Sequence, residues 1–149
     1  AFRATFRALF GGGEADLRLE DGDPLVAGIE IEARPPGKRT KRLSLLSGGE
    51  RALTAIALLF AALSVRPVPF CLLDEVDAAL DEANVGRFAR YLQTLKETTQ
   101  WIVVTHRKGT MAVADALFGV TMDKSGASRL IAVALEDAER AVGVGRRSG

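Results

Sequence analysis

Strand, helix, strand, helix, with strands that are apolar throughout, predicts an α/β domain on a largely parallel sheet covered by helices on both faces. Two observations carry this reading. Residues 70–73 (Phe-Cys-Leu-Leu) and 101–104 (Trp-Ile-Val-Val) are short runs without a polar side chain, the pattern of strands buried on both sides. Each is preceded by a helical pattern: residues 48–65 are apolar on nearly every face, and Val85, Phe88, Leu92 and Leu95 mark an amphipathic stripe.

Taken in order, the elements begin with Phe2, Phe6 and Phe10, which recur every four residues beside Leu9 and predict a helix stopped by Gly11, Gly12 and Gly13. Ala15, Leu17 and Leu19 then alternate with polar residues, as do Ile29, Ile31 and Ala33. With Glu20-Asp21-Gly22-Asp23-Pro24 between them, they predict two antiparallel strands with one wet face. The helix over 48–65 is ended by Pro67 and Pro69, and the two buried strands bracket the amphipathic helix. A short helix over 111–116 and two strands over 118–122 and 129–135 follow, and the glycine-rich tail from Ala141 reads as frayed.

With 149 residues, 48% hydrophobic and 26% charged, the chain has the balance of one globular domain rather than a disordered segment. Cys71 as sole cysteine excludes an internal disulfide framework, and His106 as sole histidine excludes His-pair metal motifs. The longest apolar stretch, 52–65, is broken by Thr54 and Ser64 and is short for a bilayer span. With no charged-then-apolar leader at the start, the expectation is a soluble cytoplasmic protein with no membrane partner. The formal charge of +1 hides a local feature. Residues 34–42 (Arg-Pro-Pro-Gly-Lys-Arg-Thr-Lys-Arg) hold five basic residues and no acid, against a charge of −4 over 1–33. Lys38, Arg39, Lys41 and Arg42 are therefore either a solvated loop or a polyanion contact.

The chemistry gathers where the apolar strands end, because ligands of open parallel sheets bind at the carboxyl edge. The first strand discharges into Asp74 and Glu75, the second into Thr105 and His106. Two acids behind an apolar strand have the Walker B form, in which one acid serves Mg²⁺ and the next acts on water. The bland alternative is that Asp74 caps the following turn and that His106 is a local hydrogen-bonding residue. Ser47-Gly48-Gly49-Glu50 shifts the balance. Ser47 and Glu50 fit a capping box, but a cap does not explain two glycines, each unfavourable by about 1 kcal/mol in a helix. Glycines there let a phosphate approach the backbone N–H groups at the positive helix end.

Leu46-Ser47-Gly48-Gly49-Glu50 resembles the signature sequence of ATP-binding-cassette ATPases. Together with Arg34-Pro35-Pro36-Gly37-Lys38, the string Asp74-Glu75-Val76-Asp77-Ala78-Ala79-Leu80-Asp81 and Val104-Thr105-His106-Arg107-Lys108, it makes the chain similar to the C-terminal half of an SMC (structural maintenance of chromosomes) head of the bacterial condensin type. The resemblance covers most of residues 2–135. It implies the C-terminal lobe of an ABC-type head in the P-loop NTPase superfamily. Residues 1–13 would be the foot of a returning coiled-coil helix, 14–136 the lobe, and 137–149 a frayed tail. No Gly-x-x-x-x-Gly-Lys-Ser/Thr occurs in the sequence, so the phosphate-cradling Walker A loop would come from the N-terminal half of the same head.

The same resemblance implies the roles. Asp74 would support Mg²⁺ through a water, Glu75 would polarise the attacking water, and His106 would contact the γ-phosphate as a switch. Leu46, Ser47, Gly48, Gly49 and Glu50 would bind ATP held by a facing second head, and Asp81 would lie in the D-loop crossing that interface. Implied partners are the N-terminal half, a second head (a homodimer), a kleisin subunit docking by its winged-helix domain, and DNA. The implied setting is the nucleoid. Three rivals stand beside this reading: a recombination-repair ATPase of the same superfamily, such as a RecN-like one; a transporter cassette, which carries the signature but has Walker A upstream in one continuous domain; and a kleisin-binding module without activity of its own.

Overall fold

The computed structural model describes residues 1–23, 26–39 and 41–133, and the side chain of Lys41 is not among what it describes. Helix α1 (Phe2–Phe10) ends at Gly11 in the left-handed conformation, whose N–H donates to the Arg7 carbonyl. Strand β1 (Glu14–Leu19) pairs antiparallel with β2 (Ile29–Arg34), and β2 with the two-residue β3 (Lys41–Arg42). A single 3-10 turn leads to α2 (Gly48–Val65). Strand β4 (Phe70–Asp74) lies parallel to β5 (Gln100–Val104), with α3 (Glu82–Leu95) crossing over between them. One turn, α4 (Lys108–Met111), and an antiparallel hairpin of β6 (Leu117–Met122) and β7 (Ser128–Val133) complete the described chain. The expected strand over 129–135 thus starts one residue earlier, and its last two residues lie outside the described part, as does the expected frayed tail over 137–149.

The core is aromatic. Phe60 of α2, fully buried, stacks on Phe88 and Tyr91 of α3 and meets Trp101 of β5 edge-on, while Phe2, Phe6 and Phe10 of α1 contact one another in series. Leu53, Ala57 and Val85 fill the space between them.

Two expectations need correction. The parallel sheet is a single pair, β4–β5, among the described residues, and the remaining strands are antiparallel. Nor is that pair covered on both faces. Cys71, Leu73, Trp101 and Val103 face the core, but Phe70, Leu72, Ile102 and Val104 on the other face are 49–61% exposed. Helix α2 shows the same asymmetry. Over its full 18 residues it is long and apolar enough to cross a membrane, although the stretch read as too short covers only 52–65, and Leu53, Ile56, Ala57, Phe60 and Ala61 sit in the core. An uncovered apolar strand face of this kind marks a surface suited to being covered by a further element or partner.

Candidate functional site

The capping box at the start of α2 is complete. Glu50 N–H donates to Ser47 Oγ (3.4 Å), and Ser47 N–H and Oγ donate to Glu50 Oε2 (3.1 and 2.9 Å). Lys38 Nζ donates to the other oxygen, Oε1, at 2.6 Å. This charge-assisted bond, followed by the bonds from Ser47, holds the Glu50 carboxyl below its ordinary value although burial opposes it. The two glycines behave differently. A Cβ at Gly48 would meet nothing within 4 Å, whereas one at Gly49 would sit 3.4 Å from the Ala79 carbonyl. Gly48 therefore leaves open space at the positive end of α2, and Gly49 permits the close approach of residues 78–81. Ser47, Gly49, Glu50, Lys38, Asp81 and Arg87 line one shallow cavity of about 440 Å³. Asp81 is also the N-cap of α3: its Oδ1 accepts from Asn84 N–H at 2.8 Å and its Oδ2 from Asn84 Nδ2 at 3.1 Å.

The acid edge lies at the carboxyl end of β4–β5. The parallel register sets Asp74 opposite Val104, and Glu75 N–H donates to the Val104 carbonyl at 2.9 Å, so Glu75 and His106 emerge side by side. His106 Nδ1 is 3.7 Å from Glu75 Oε1, with both side chains mostly exposed. Glu75 has φ of 48°, the one non-glycine residue in the left-handed region among those described. A strained backbone at a carboxylate that faces solvent beside an imidazole is a functional signal, because folding alone gains nothing from it. The exposed Asp74 side chain makes no hydrogen bond or ion pair among the described residues, and no group of three metal-ligating side chains occurs there. One free carboxylate suits Mg²⁺, which keeps waters and binds through one or two acids plus substrate phosphates.

The basic run is largely neutralised within the chain. Arg34 pairs with Glu14 (2.7 Å), Lys38 with Glu50 (2.6 Å) and Arg42 with Glu30 (2.6 Å), which leaves Arg39 without an acidic partner among the described residues. Sequence reasoning gave Asp77 no role beyond its place in a motif, yet it is fully buried and bonded to two threonine hydroxyls. The only hint was one more acid next to Ala78-Ala79-Leu80, where a soluble turn needs none.

Residues 25–129 match the family described as RecF/RecN/SMC N terminal domain, which is more than half of the chain. The chain belongs to this family. Within it, the similar proteins are chromosome partition Smc proteins, and the similar solved structures include SMC heads. The chain is 64% identical over 142 residues to "Chromosome partition protein Smc" of Bacillus subtilis, covering 95% of this chain and 12% of that protein. With the protein of the same name from Desulfitobacterium hafniense it is 57% identical over 94% of this chain and 12% of that one. It therefore spans about an eighth of the curated relatives it matches. A solved structure from work on ATP-driven dimerization and DNA-stimulated activation of SMC ATPases superposes with a TM-score of 0.92 at 42% identity, covering 99% of this chain and 90% of that one. The Smc head bound to the C-terminal winged-helix domain of ScpA does so at 0.81 and 46% identity, over 93% of this chain and 43% of that one. These neighbours favour an SMC head over a RecN-like repair ATPase.

Proposed function

We propose that this chain is the C-terminal half of an SMC head which, joined to its Walker A half and paired with a second head, binds and hydrolyses ATP in chromosome condensation and segregation. The observation that carries the reading is Glu75: a strained, solvent-facing carboxylate 3.7 Å from His106 at the carboxyl edge of β4–β5. Glu75 accepts a proton from, and so polarises, the water that attacks the γ-phosphate of ATP. His106 orients that phosphate from the neighbouring strand. Asp74 would help hold Mg²⁺, and the ion would supply neutralisation of phosphate charge.

Ser47 and the N–H groups at Gly48 and Gly49 serve the nucleotide of the facing head, for which Gly48 leaves room. Leu46, buried, and Glu50, tied to Ser47 and Lys38, fix that helix end. Asp81 and its turn cross the interface. The exposed face of Phe70, Leu72, Ile102 and Val104 packs against the N-terminal half. Residues 1–13 are the coiled-coil foot and 14–136 the lobe, and the assembled protein works in the cytoplasm on the nucleoid with a kleisin subunit and DNA.

Two variants of the complete head test this. Glu75→Gln preserves size and removes the base, so ATP-dependent pairing persists while phosphate release is lost. Ser47→Arg fills the space at the α2 N-terminus, so each head still binds ATP but pairing and turnover both fail. Loss of pairing in the first variant, or its survival in the second, overturns the assignment.

A further inference from the structure

Asp77 is a carboxylate with no measurable exposure and no ion pair among the described residues. Its Oδ2 accepts hydrogen bonds from the hydroxyls of Thr105 (2.7 Å) and Thr110 (2.5 Å), and its Oδ1 has no hydrogen-bond partner among the described residues. A half-satisfied buried charge opposes folding, and an apolar residue of the same size would suit the core better. The partners indicate what this charge does. Thr105 Oγ1, besides donating to Asp77, accepts from the Arg107 N–H at 2.9 Å, and the Arg107 guanidinium donates to the Leu80 carbonyl at 2.9 Å. His106 thus lies between two residues, each tied to the segment that follows Glu75. Asp77 stands two residues after Glu75 and grips the residue just before His106.

We infer that Asp77 is a positioning residue: through Thr105 it sets the separation of Glu75 and His106 and locks the histidine loop to the turn that leads to Asp81. The inference rests on the proposed roles of Glu75 and His106. A charge-assisted pair of hydroxyl bonds is about twice as strong as a neutral one, which suits a carboxylate here better than an amide or a hydroxyl. The β4–β5 register and the Glu75 N–H bond to the Val104 carbonyl bring the two backbones together, but both side chains are mostly exposed, so the histidine loop itself has few other restraints in this chain. Catalytic geometry is sensitive on this scale, and a misplacement of about 1 Å costs about a hundredfold in rate.

The test uses the complete head with Thr105→Val, Thr105→Ser, Asp77→Asn and Glu75→Gln in parallel, reading kcat, KM for ATP, ATP-dependent pairing and thermal midpoint. Thr105→Val keeps shape and removes the linking hydroxyl, so kcat falls about ten- to a hundredfold while KM and pairing hold. Thr105→Ser keeps the hydroxyl and recovers most of the loss. A purely structural role would lower the thermal midpoint without moving kcat per folded head. Wild-type kcat in Thr105→Val, or equal losses in the valine and serine variants, overturns the clamp. Should Thr105→Val not fold, Asp77→Asn decides: lowered kcat with pairing intact supports the clamp, and unchanged kcat refutes it. An inert Glu75→Gln beside a normal Thr105→Val would sink the clamp alone, whereas an active Glu75→Gln would sink the reading of the site as well.

Discussion

Replacing Glu75 by glycine and by alanine separates its backbone from its side chain. Both variants lose the carboxylate and its 3.7 Å approach to His106, an exposed contact that contributes little to stability, so their difference isolates the left-handed backbone at φ 48°. For an L-residue that conformation costs about 1–2 kcal/mol, and glycine is free of it. Glycine in turn loses about 0.5–1 kcal/mol more on folding through its freer unfolded chain. The Glu75→Gly head is therefore more stable than the Glu75→Ala head by up to about 1.5 kcal/mol, a rise of up to about 6 °C in thermal midpoint for a domain of this class. Glu75→Val, β-branched, falls below alanine. Scanning calorimetry of the three complete heads reads the order, and phosphate release shows all three inactive. A glycine head less stable than the alanine head would refute strain at this position, and with it the inference that function holds Glu75 there.

Acid should act through Glu50. Its folded value lies below 4.5, so the stability it contributes is present above that pH and is lost as pH falls through the folded value. Glu50→Gln lowers the thermal midpoint near neutrality, and the gap to the wild type closes below pH 4.5; a pH-independent gap would contradict the linkage. Gly13, at φ 78°, would place a Cβ 2.3 Å from the Arg34 carbonyl, so Gly13→Ala destabilises the head by about 2–4 kcal/mol in denaturant titration. An unchanged midpoint would mean that the α1–β1 turn can move away. In the basic run, Arg39→Gln lowers the salt slope of DNA binding by about one, more than Arg42→Gln, whose guanidinium is held by Glu30. Equal, unaltered slopes would leave the run as a solvated loop.

Much of the site was legible because its signals are local. Ser47 and Glu50 sit at capping-box spacing, and the box forms with both of its bonds. Two all-apolar strands announced a parallel pair, and its register brings the Glu75 and His106 segments to the same edge. What stayed hidden depends on contacts distant in sequence. The basic run reads as five free charges until pairing of β1, β2 and β3 carries Glu14 and Glu30 to Arg34 and Arg42. Asp77 owes its place to Thr105 and Thr110, about thirty residues away, which no periodicity links to it. The strands look buried on both faces because, on this reading, their composition was set by a complete head; Phe70 and Leu72 are the part of that composition this chain leaves exposed.

On the proposed roles, Ser47 of one head and Glu75 of the other complete a single ATP site. Mixing complete heads carrying Ser47→Arg with complete heads carrying Glu75→Gln tests it most directly. In a mixed pair, the nucleotide of the Ser47→Arg head meets its own intact Glu75 and an intact Ser47 across the interface, while the second site carries both defects. Phosphate release should therefore rise on mixing, far above the sum of the two inactive preparations. Turnover no greater than that sum, with mixed pairs present by light scattering, would contradict the account and place Ser47 on its own head's nucleotide.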